Sequence, residues 1–301
     1  MDSVTHTLFG LTTYGSVKKE KISKPYKRAL LFSALVGSQI PDIDVVMNLT
    51  EVGRINEQLW HRGLTHSLFF VPLWAGLIYW LCSIFWGVKD RGLFKLAFIN
   101  VLIHDLSDSL NTWGTGLLEP IFPVRVSLGT LSIVDFVIWG IMLVGFLISL
   151  LKKNIKSYHV YRAVWLFIGL HILLQGFQGY YLHQLASEKY HQVALKAEFI
   201  PSQFSVIGKN GDMVEISRAS VWSGMESLEI LKSAEDVNLE PLFEQNPKAK
   251  VLMAWSPFVV VVDNDERLGV FDPRFYVNGE SFLYEYILKN NTFSSNPSRN
   301  G

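Results

Sequence analysis

The sequence predicts a mainly α-helical integral membrane bundle over residues 1–182, followed by a strand-rich soluble domain, β or α+β, over residues 183–301. Three observations lead there. Of the 301 residues, 49% are hydrophobic and 18% charged, and the mean hydropathy is +0.23, too apolar for an ordinary soluble domain of this length. Apolar runs that approach the ~30 Å hydrocarbon thickness of a bilayer recur before residue 182. Beyond residue 183 the chain turns to short β-branched and aromatic segments bounded by Gly, Asn and Asp. With 27 Lys+Arg against 27 Asp+Glu the formal net charge is zero, which removes the electrostatic case for nucleic acid and leaves the lipid bilayer as the partner. Cys82 is the only cysteine, so no intrachain disulfide forms and cysteine usage does not report the compartment.

Asp2 stands where a secretory signal would carry a basic residue, so the N-terminus reads as retained. Thr5 to Val17 is a short, mostly apolar helix, followed by the basic run Lys18-Lys19-Glu20-Lys21 and by Lys24, Lys27 and Arg28. Ala29 to Ile40 is apolar again and ends at a Pro41-Asp42-Ile43-Asp44 turn; neither segment is a full span by itself. Leu68 to Gly87 carries no charged side chain and fits one span. A second run extends from Leu93 to Leu110, a third from Leu131 to Leu151 and a fourth from His159 to Tyr181, in which His171, Gln175 and Gln178 read as interhelical hydrogen-bonding groups.

Loops rich in Lys and Arg stay cytoplasmic. The basic clusters at 18–28, 89–95 and 152–156 alternate with sparsely basic segments at 41–66 and 111–130, so the latter two and everything after 182 are expected outside. In the C-terminal part, Phe204–Ile207, Met213–Ile216, Val259–Val262 and Leu268–Phe271 read as strands and Asn238–Gln245 as a short helix. The polar tail after Thr292 reads as disordered, and His183 and His191 as surface residues.

The chemistry concentrates in His61-Arg62-Gly63-Leu64-Thr65-His66-Ser67, where two imidazoles, a guanidinium and two hydroxyls abut an apolar run. His61 and His66 are five residues apart, ~140° around an ideal helix, so they do not form a metalloprotease His-x-x-x-His face. His61 is expected in the loop before the helix and His66 on its first turn. His104 and Asp108 stand at i and i+4 on one helical face, either as a mutual hydrogen bond or as ligands. Asp42 and Asp44 are either a helix N-cap with a first-turn acid or two carboxylates approaching one centre. The topology brings these groups to one membrane depth, with His6 joining if its helix starts on that side. His6, Asp42, Asp44, His61, His66, His104 and Asp108 together are more donors than one divalent ion needs. Zinc, as one or two ions with a carboxylate such as Asp108 bridging, is the expected cofactor, an arrangement suited to phosphoester hydrolysis.

These motifs, together with Asp2-Ser3-Val4-Thr5-His6 and His104-Asp105-Leu106-Ser107-Asp108, resemble the YdjM family of predicted membrane-bound metal-dependent hydrolases over residues 1–110. Phe271-Asp272-Pro273-Arg274-Phe275 looks like a further family feature. More distantly, the order His, Asp, His, His-x-x-x-Asp is similar to the first half of zinc-dependent phospholipases C. That resemblance implies His6, Asp44 or Asp42, His61 or His66, His104 and Asp108 as ligands; the second His-x-x-x-Glu pair of those enzymes is absent here. The expected activity is hydrolysis of an ester, foremost a phosphodiester of a lipid or membrane-associated molecule, by water activated at the metal. Asp42 or Asp44 would accept the proton and Arg62 would grip an anionic group in bidentate fashion. The competing expectation is a non-catalytic, metal-stabilised scaffold or sensor whose C-terminal domain binds a partner.

Overall fold

The structure is a computed structural model that describes residues 1–152 and 154–289. The tail read as disordered after Thr292, and Lys153 of the third basic cluster, lie outside the described residues. The chain up to Ser187 is helical. Helix α1 (Ser3–Ser16) starts where the Asp2 carboxylate accepts from Val4 N and Thr5 N at 3.0 and 3.1 Å. Helix α2 (Lys24–Gly37) is capped by Ser23 and leads into a 3-10 segment, Ile40–Leu49. Two short helices, α3 (Glu51–Ile55) and α4 (Glu57–Trp60), and a 3-10 turn at Leu64–His66 follow. Then come α5 (Val71–Trp86), α6 (Arg91–Ser109), α7 (Phe136–Leu151) and α8 (Ser157–Ser187).

Two apolar clusters hold the helices together. Ala29, Leu30 and Ala34 of α2 meet Ala75, Ile78 and Cys82 of α5 and Leu93, Ala97 and Val101 of α6. Phe9 of α1 meets Ile138 and Met142 of α7 and Val164 and Ile168 of α8. At Gly10 an added Cβ would lie 2.6 Å from Ser38 Oγ and 2.9 Å from Ala34 O, so α1 and the end of α2 meet almost backbone to backbone, one turn beyond His6. The basic connections gather at one end, where Lys156 pairs with Glu20 at 3.0 Å and Tyr26 donates to Asp90 at 2.8 Å. The 3-10 segment, residues 110–135 and the strand-rich domain occupy the other end.

Fewer clear spans result than the four expected. Among the described residues one helix, α8 at 31 residues, is long and apolar enough to cross a membrane alone. The number rises to at most three if two bent pairs each count as one: Lys24–Gly37 with Ile40–Leu49, bent by 54°, and Glu57–His66 with Val71–Trp86, bent by 69°. Residues 68–70 are spent on a turn whose Leu68 N bonds Leu117 O, which leaves 16 residues in α5. Residues 131–135 run as a connection that ends at the Asp135 N-cap, so α7 also has 16, or ~24 Å against the ~30 Å required. Helix α6 has 19 residues but carries Lys95, Asp105 and Asp108. The outward faces are nonetheless strongly apolar: Leu173 and Phe177 of α8 are each 70% exposed, in a stripe with Leu166, Leu170 and Leu174 that suits lipid rather than water.

The C-terminal domain is built of antiparallel sheets. Strands β1 (Gln192–Ala197), β2 (Phe204–Asn210), β3 (Met213–Ser220) and β4 (Gly224–Lys232) form a meander in that order. The tight turn between β2 and β3 requires the positive φ of Gly211, +55°. A second sheet orders β5 (Val260–Asp263), β6 (Arg267–Phe271) and β9 (Tyr284–Leu288), with a small β7–β8 hairpin (Tyr276–Val277, Glu280–Ser281). Helices α9 (Glu240–Gln245) and α10 (Pro247–Trp255) pack on it through Leu242, Ala249 and Leu252. Helix α8 runs through residue 182 without a break, and its last turns place Leu182 and Ala186 in the core formed with Leu195, Phe204 and Val206.

A buried ion pair fastens this domain to the loop after α6. Arg274 Nη2 donates to Asp272 Oδ2 at 2.6 Å, while Nη1 reaches Thr112 O at 2.6 Å. Trp113 inserts beside Phe275 and Trp255, with ring centroids 4.8 and 5.6 Å away. Arg274→Ala is expected to strand the Asp272 charge and cost ~3–5 kcal/mol in a denaturant melt, with new proteolysis at residues 110–130. Arg218→Ala, on the exposed side of β3, should stay within ~0.5 kcal/mol of wild type. Equal melts for the two variants would remove the fastening role.

Candidate metal centre

Three elements deliver the polar side chains to one point. The i, i+4 spacing on α6 aligns His104 and Asp108, whose Nε2 and Oδ2 are 3.8 Å apart. The 3-10 segment, entered through Pro41, presents Asp42 from its first turn. The 3-10 turn before α5 presents His66, which therefore lies ahead of the helix rather than on its first turn. His66 Nε2 stands 3.3 Å from Asp42 Oδ1, 3.1 Å from His104 Nε2 and 3.7 Å from Asp108 Oδ2; His104 Nε2 is 3.5 Å from Asp42 Oδ1. His66, His104 and Asp108 are fully buried.

The hydrogen bonds on the far side of each ring assign its tautomer. His104 Nδ1 lies 2.8 Å from Ser38 O, which only accepts, so Nδ1 carries the proton and Nε2 an open lone pair. Thr65 Oγ1 donates to Asp44 Oδ2 at 2.8 Å and sits 3.0 Å from His66 Nδ1, which leaves His66 Nε2 unprotonated as well. Asp108 Oδ2 is buried without a hydrogen-bond partner. Two nitrogen lone pairs and two carboxylate oxygens thus face one another. Four ligands held ~2.0–2.1 Å from a tetrahedral ion would be ~3.3 Å apart, close to the spacings here. Asp42, His66, His104 and Asp108 can hold a metal ion, and Asp42, Asp44 and His61 form a second, adjoining group. Asp42, rather than Asp108, is the carboxylate common to both.

Asp44 organises the loop around this centre. Its Oδ1 is 2.9 Å from His61 Nδ1, and its Oδ2 accepts from Arg62 N at 3.0 Å as well as from Thr65. Arg62 adopts φ +60°, an uncommon conformation for a side-chain-bearing residue, and is held there by that bond. Its side chain is buried: Nη1 donates to Asn111 Oδ1 and Nη2 to Met1 O, while Nε stands 3.1 Å from Asp108 Oδ2 as an ion pair that makes no hydrogen bond. The bidentate grip on a ligand expected from the sequence has no free edge here, and Arg62 braces Asp108 instead. His6 lies behind the centre, stacked on His104 at 3.8 Å with Nε2 3.2 Å from Asp108 Oδ1; the Met1 amino nitrogen contacts the same oxygen.

Over residues 1–182, which contain all of these groups, the chain matches the model of the YdjM inner membrane protein family. The chain belongs to the YdjM family. It is also similar to a Bacillus subtilis (strain 168) protein described as uncharacterized protein YfhP, at 30% identity over 139 residues. The match covers 45% of this chain and 42% of that relative, less than half the length of either. No solved structure matches, and the likeness to phospholipases C finds no support among these comparisons.

Within this YdjM member, Asp135 and His171 stay apart from the centre: Asp135 caps α7 and bonds His171 Nε2 at 2.9 Å. Sequence reasoning gave no role to Ser38, Thr65 and Asn111, whose contacts to His104, Asp44 and Arg62 cross 66, 21 and 49 residues of chain, which no spacing reveals. It also passed over Arg125, which donates to His61 O at 3.0 Å and anchors the loop from outside. Burial pushes the Arg125 guanidinium below its ordinary range and the nearby Glu119 carboxyl above its own. His66→Ala, His104→Ala and Asp108→Ala are each expected to lower bound metal in the purified protein, by mass spectrometry, whereas His183→Ala retains it. Equal, near-zero metal in all four and in wild type would return these residues to packing roles.

Proposed function

We propose that this YdjM member is a membrane-bound, metal-dependent hydrolase acting on a phosphodiester of a lipid or membrane-associated molecule. The supporting observation is the convergence of two unprotonated imidazole nitrogens and two carboxylates, with nitrogen–nitrogen and nitrogen–oxygen distances of 3.1–3.8 Å, beside a His61–Asp44 pair whose imidazole is partly exposed. A divalent cation, zinc by the nature of the donors, would polarise an ester oxygen there and acidify a water. The chain's own residues do the rest. His61, with Nδ1–H given to Asp44, keeps Nε2 as proton acceptor, and its side chain is 33% exposed. Asp44 is the positioning residue that holds this tautomer. Asp42 shares its carboxylate between the two groups, and Arg62 and His6 fix Asp108.

Helix α8 and the two bent pairs are read as spans of a multi-pass chain, with the basic end cytoplasmic and the metal centre and strand-rich domain extracytoplasmic. The scaffold or sensor reading is favoured by one feature, that Asp42, His66, His104 and Asp108 alone complete a four-ligand structural zinc site.

Two measurements bear on this. In a Cys82→Ala background, single cysteines at the exposed positions Val124, in the same loop as Gly114, and Asp263 are expected to react with an impermeant maleimide in intact cells; labelling only after lysis reverses the orientation. Chelator should abolish phosphodiester hydrolysis, and zinc or manganese restore it. Asp44→Asn, which unseats the His61 tautomer, should lower the rate by a larger factor than it lowers metal content, up to the ~10²–10⁴-fold usual for loss of general-base assistance. Bound metal with no turnover of phospholipids, generic phosphodiesters or carboxyl esters above this variant would leave the scaffold reading.

A further inference from the structure

The bend between α2 and the 3-10 segment opens a groove of about 800 Å³ beside the metal centre. Leu35, Val36, Ile40, Ile43 and Val45 form its apolar wall, and Asp42 and His61 share its lining. Gln39 sits at the bend and donates to Ser3 O and Thr7 Oγ1, both at 2.9 Å, so the break in the helix is pinned to α1. Beyond the groove the apolar surface continues outward along the 3-10 segment through Val46, Met47 and Leu49, the last 82% exposed. Among the described residues no Lys or Arg side chain lines the groove, so its chemistry suits a hydrocarbon chain better than an anionic headgroup.

We infer that this groove holds an acyl chain of a bilayer glycerolipid and presents that lipid's polar ester region to Asp42 and His61. The inference rests on the membrane and hydrolase reading above and narrows its substrate to an amphiphile entering sideways from the bilayer. Three features carry it. The groove is continuous with the exposed apolar edge of a helix pair long enough to span a bilayer. Its apolar wall would be costly to leave in water, at roughly 25 cal/mol per Å² of exposed apolar surface. Its lining contains the most solvent-accessible donor of each metal-holding group, Asp42 and His61. A lipid so held exchanges bilayer contacts for groove contacts on its chain, so selectivity falls on chains that fit rather than on headgroup charge.

The test uses the full chain, loaded with zinc, in phosphatidylethanolamine–phosphatidylglycerol vesicles doped with phosphatidylglycerol carrying a diazirine on one acyl chain. After photolysis, mass spectrometry should find adducts at Val36, Ile40, Ile43 and Val45 in excess of those at Leu170 on the outward face of α8. In Val45→Trp, which fills the groove, adducts at Val36 and Ile40 should fall about tenfold, equivalent to ~1.4 kcal/mol of lost occupancy, with those at Leu170 and the zinc content unchanged. Adducts no more frequent than at Leu170, or indifferent to Val45→Trp, would overturn the inference. So would disulfide-linked dimers from Val45→Cys in a Cys82→Ala background, which would make the groove an interface between copies. Hydrolysis followed in parallel separates the two readings. Groove adducts without turnover of any ester keep the chain site and sink the hydrolase. Turnover of bis(4-nitrophenyl) phosphate without groove adducts keeps the hydrolase and sinks the chain site.

Discussion

The confrontation of two carboxylates with two imidazole lone pairs at the end of α6 is the constraint around which the helical part is arranged. Asp42 and Asp108 offer oxygens within 4.8 Å of one another. Two such charges repel by at least ~3 kcal/mol at an effective dielectric near 20. The protein surrounds them with compensation: Arg62 and the Met1 amino nitrogen on Asp108, and carbonyl or hydroxyl partners that turn each imidazole proton outward. The outward protons matter most, because a ring protonated toward the centre would satisfy the carboxylates without any cation. By spending both Nδ1 hydrogens elsewhere, Ser38 and Thr65 leave two nitrogen lone pairs beside the carboxylates, a donor set that could hold a positive ion.

That arrangement spreads through a chain of polar contacts to the far domain. Arg62 holds Asp108 and bonds Asn111; the next residue, Thr112, supplies the carbonyl that Arg274 grips; and Arg274 is locked to Asp272 on the C-terminal sheet. Gly129 reinforces the junction, since a Cβ at its φ of +61° would lie 1.9 Å from Leu195 O on β1. The strand-rich domain is therefore linked to the brace on Asp108, one carboxylate of the candidate metal centre. A shift of that domain would reach Asp108 through three contacts, Arg274–Thr112, Asn111–Arg62 and Arg62–Asp108, a physical route by which a partner on the sheets would influence the centre.

Residue spacing was enough to read the features that live within one element. The His104–Asp108 face follows from helical periodicity, and the β-branched runs after residue 183 appear as β2, β3, β5 and β6. Features that depend on the angle between elements were not legible. Nothing in Ala29–Ile40 announces a 54° bend, because the bend is held by Gln39 reaching Ser3 and Thr7 on another helix. The apolar run from Leu68 looks like one span, yet its first residues are drawn into pairing with Leu117. Arg62 reads from sequence as a free cation, and only its three partners in space reveal a brace.

Closure and catalysis ask opposite things of the four donors, and burial separates them. The side chains of His66, His104 and Asp108 are 0%, 1% and 0% exposed, while that of Asp42 is 20% exposed. Three donors are thus sealed by α1, α6 and the loop built on Asp44, and the fourth faces the groove and His61. A structural zinc site gains by sealing all four positions, since an exposed ligand invites exchange. A hydrolytic site needs three fixed ligands and one position where water or an ester oxygen can compete. Asp42 is the donor that differs: it lies on the least regular element of the helical part, is shared between two donor groups, and lines the apolar groove. On the proposed hydrolase reading, this asymmetry of burial would put the exchangeable position at Asp42 and the groove beside it on a substrate's path.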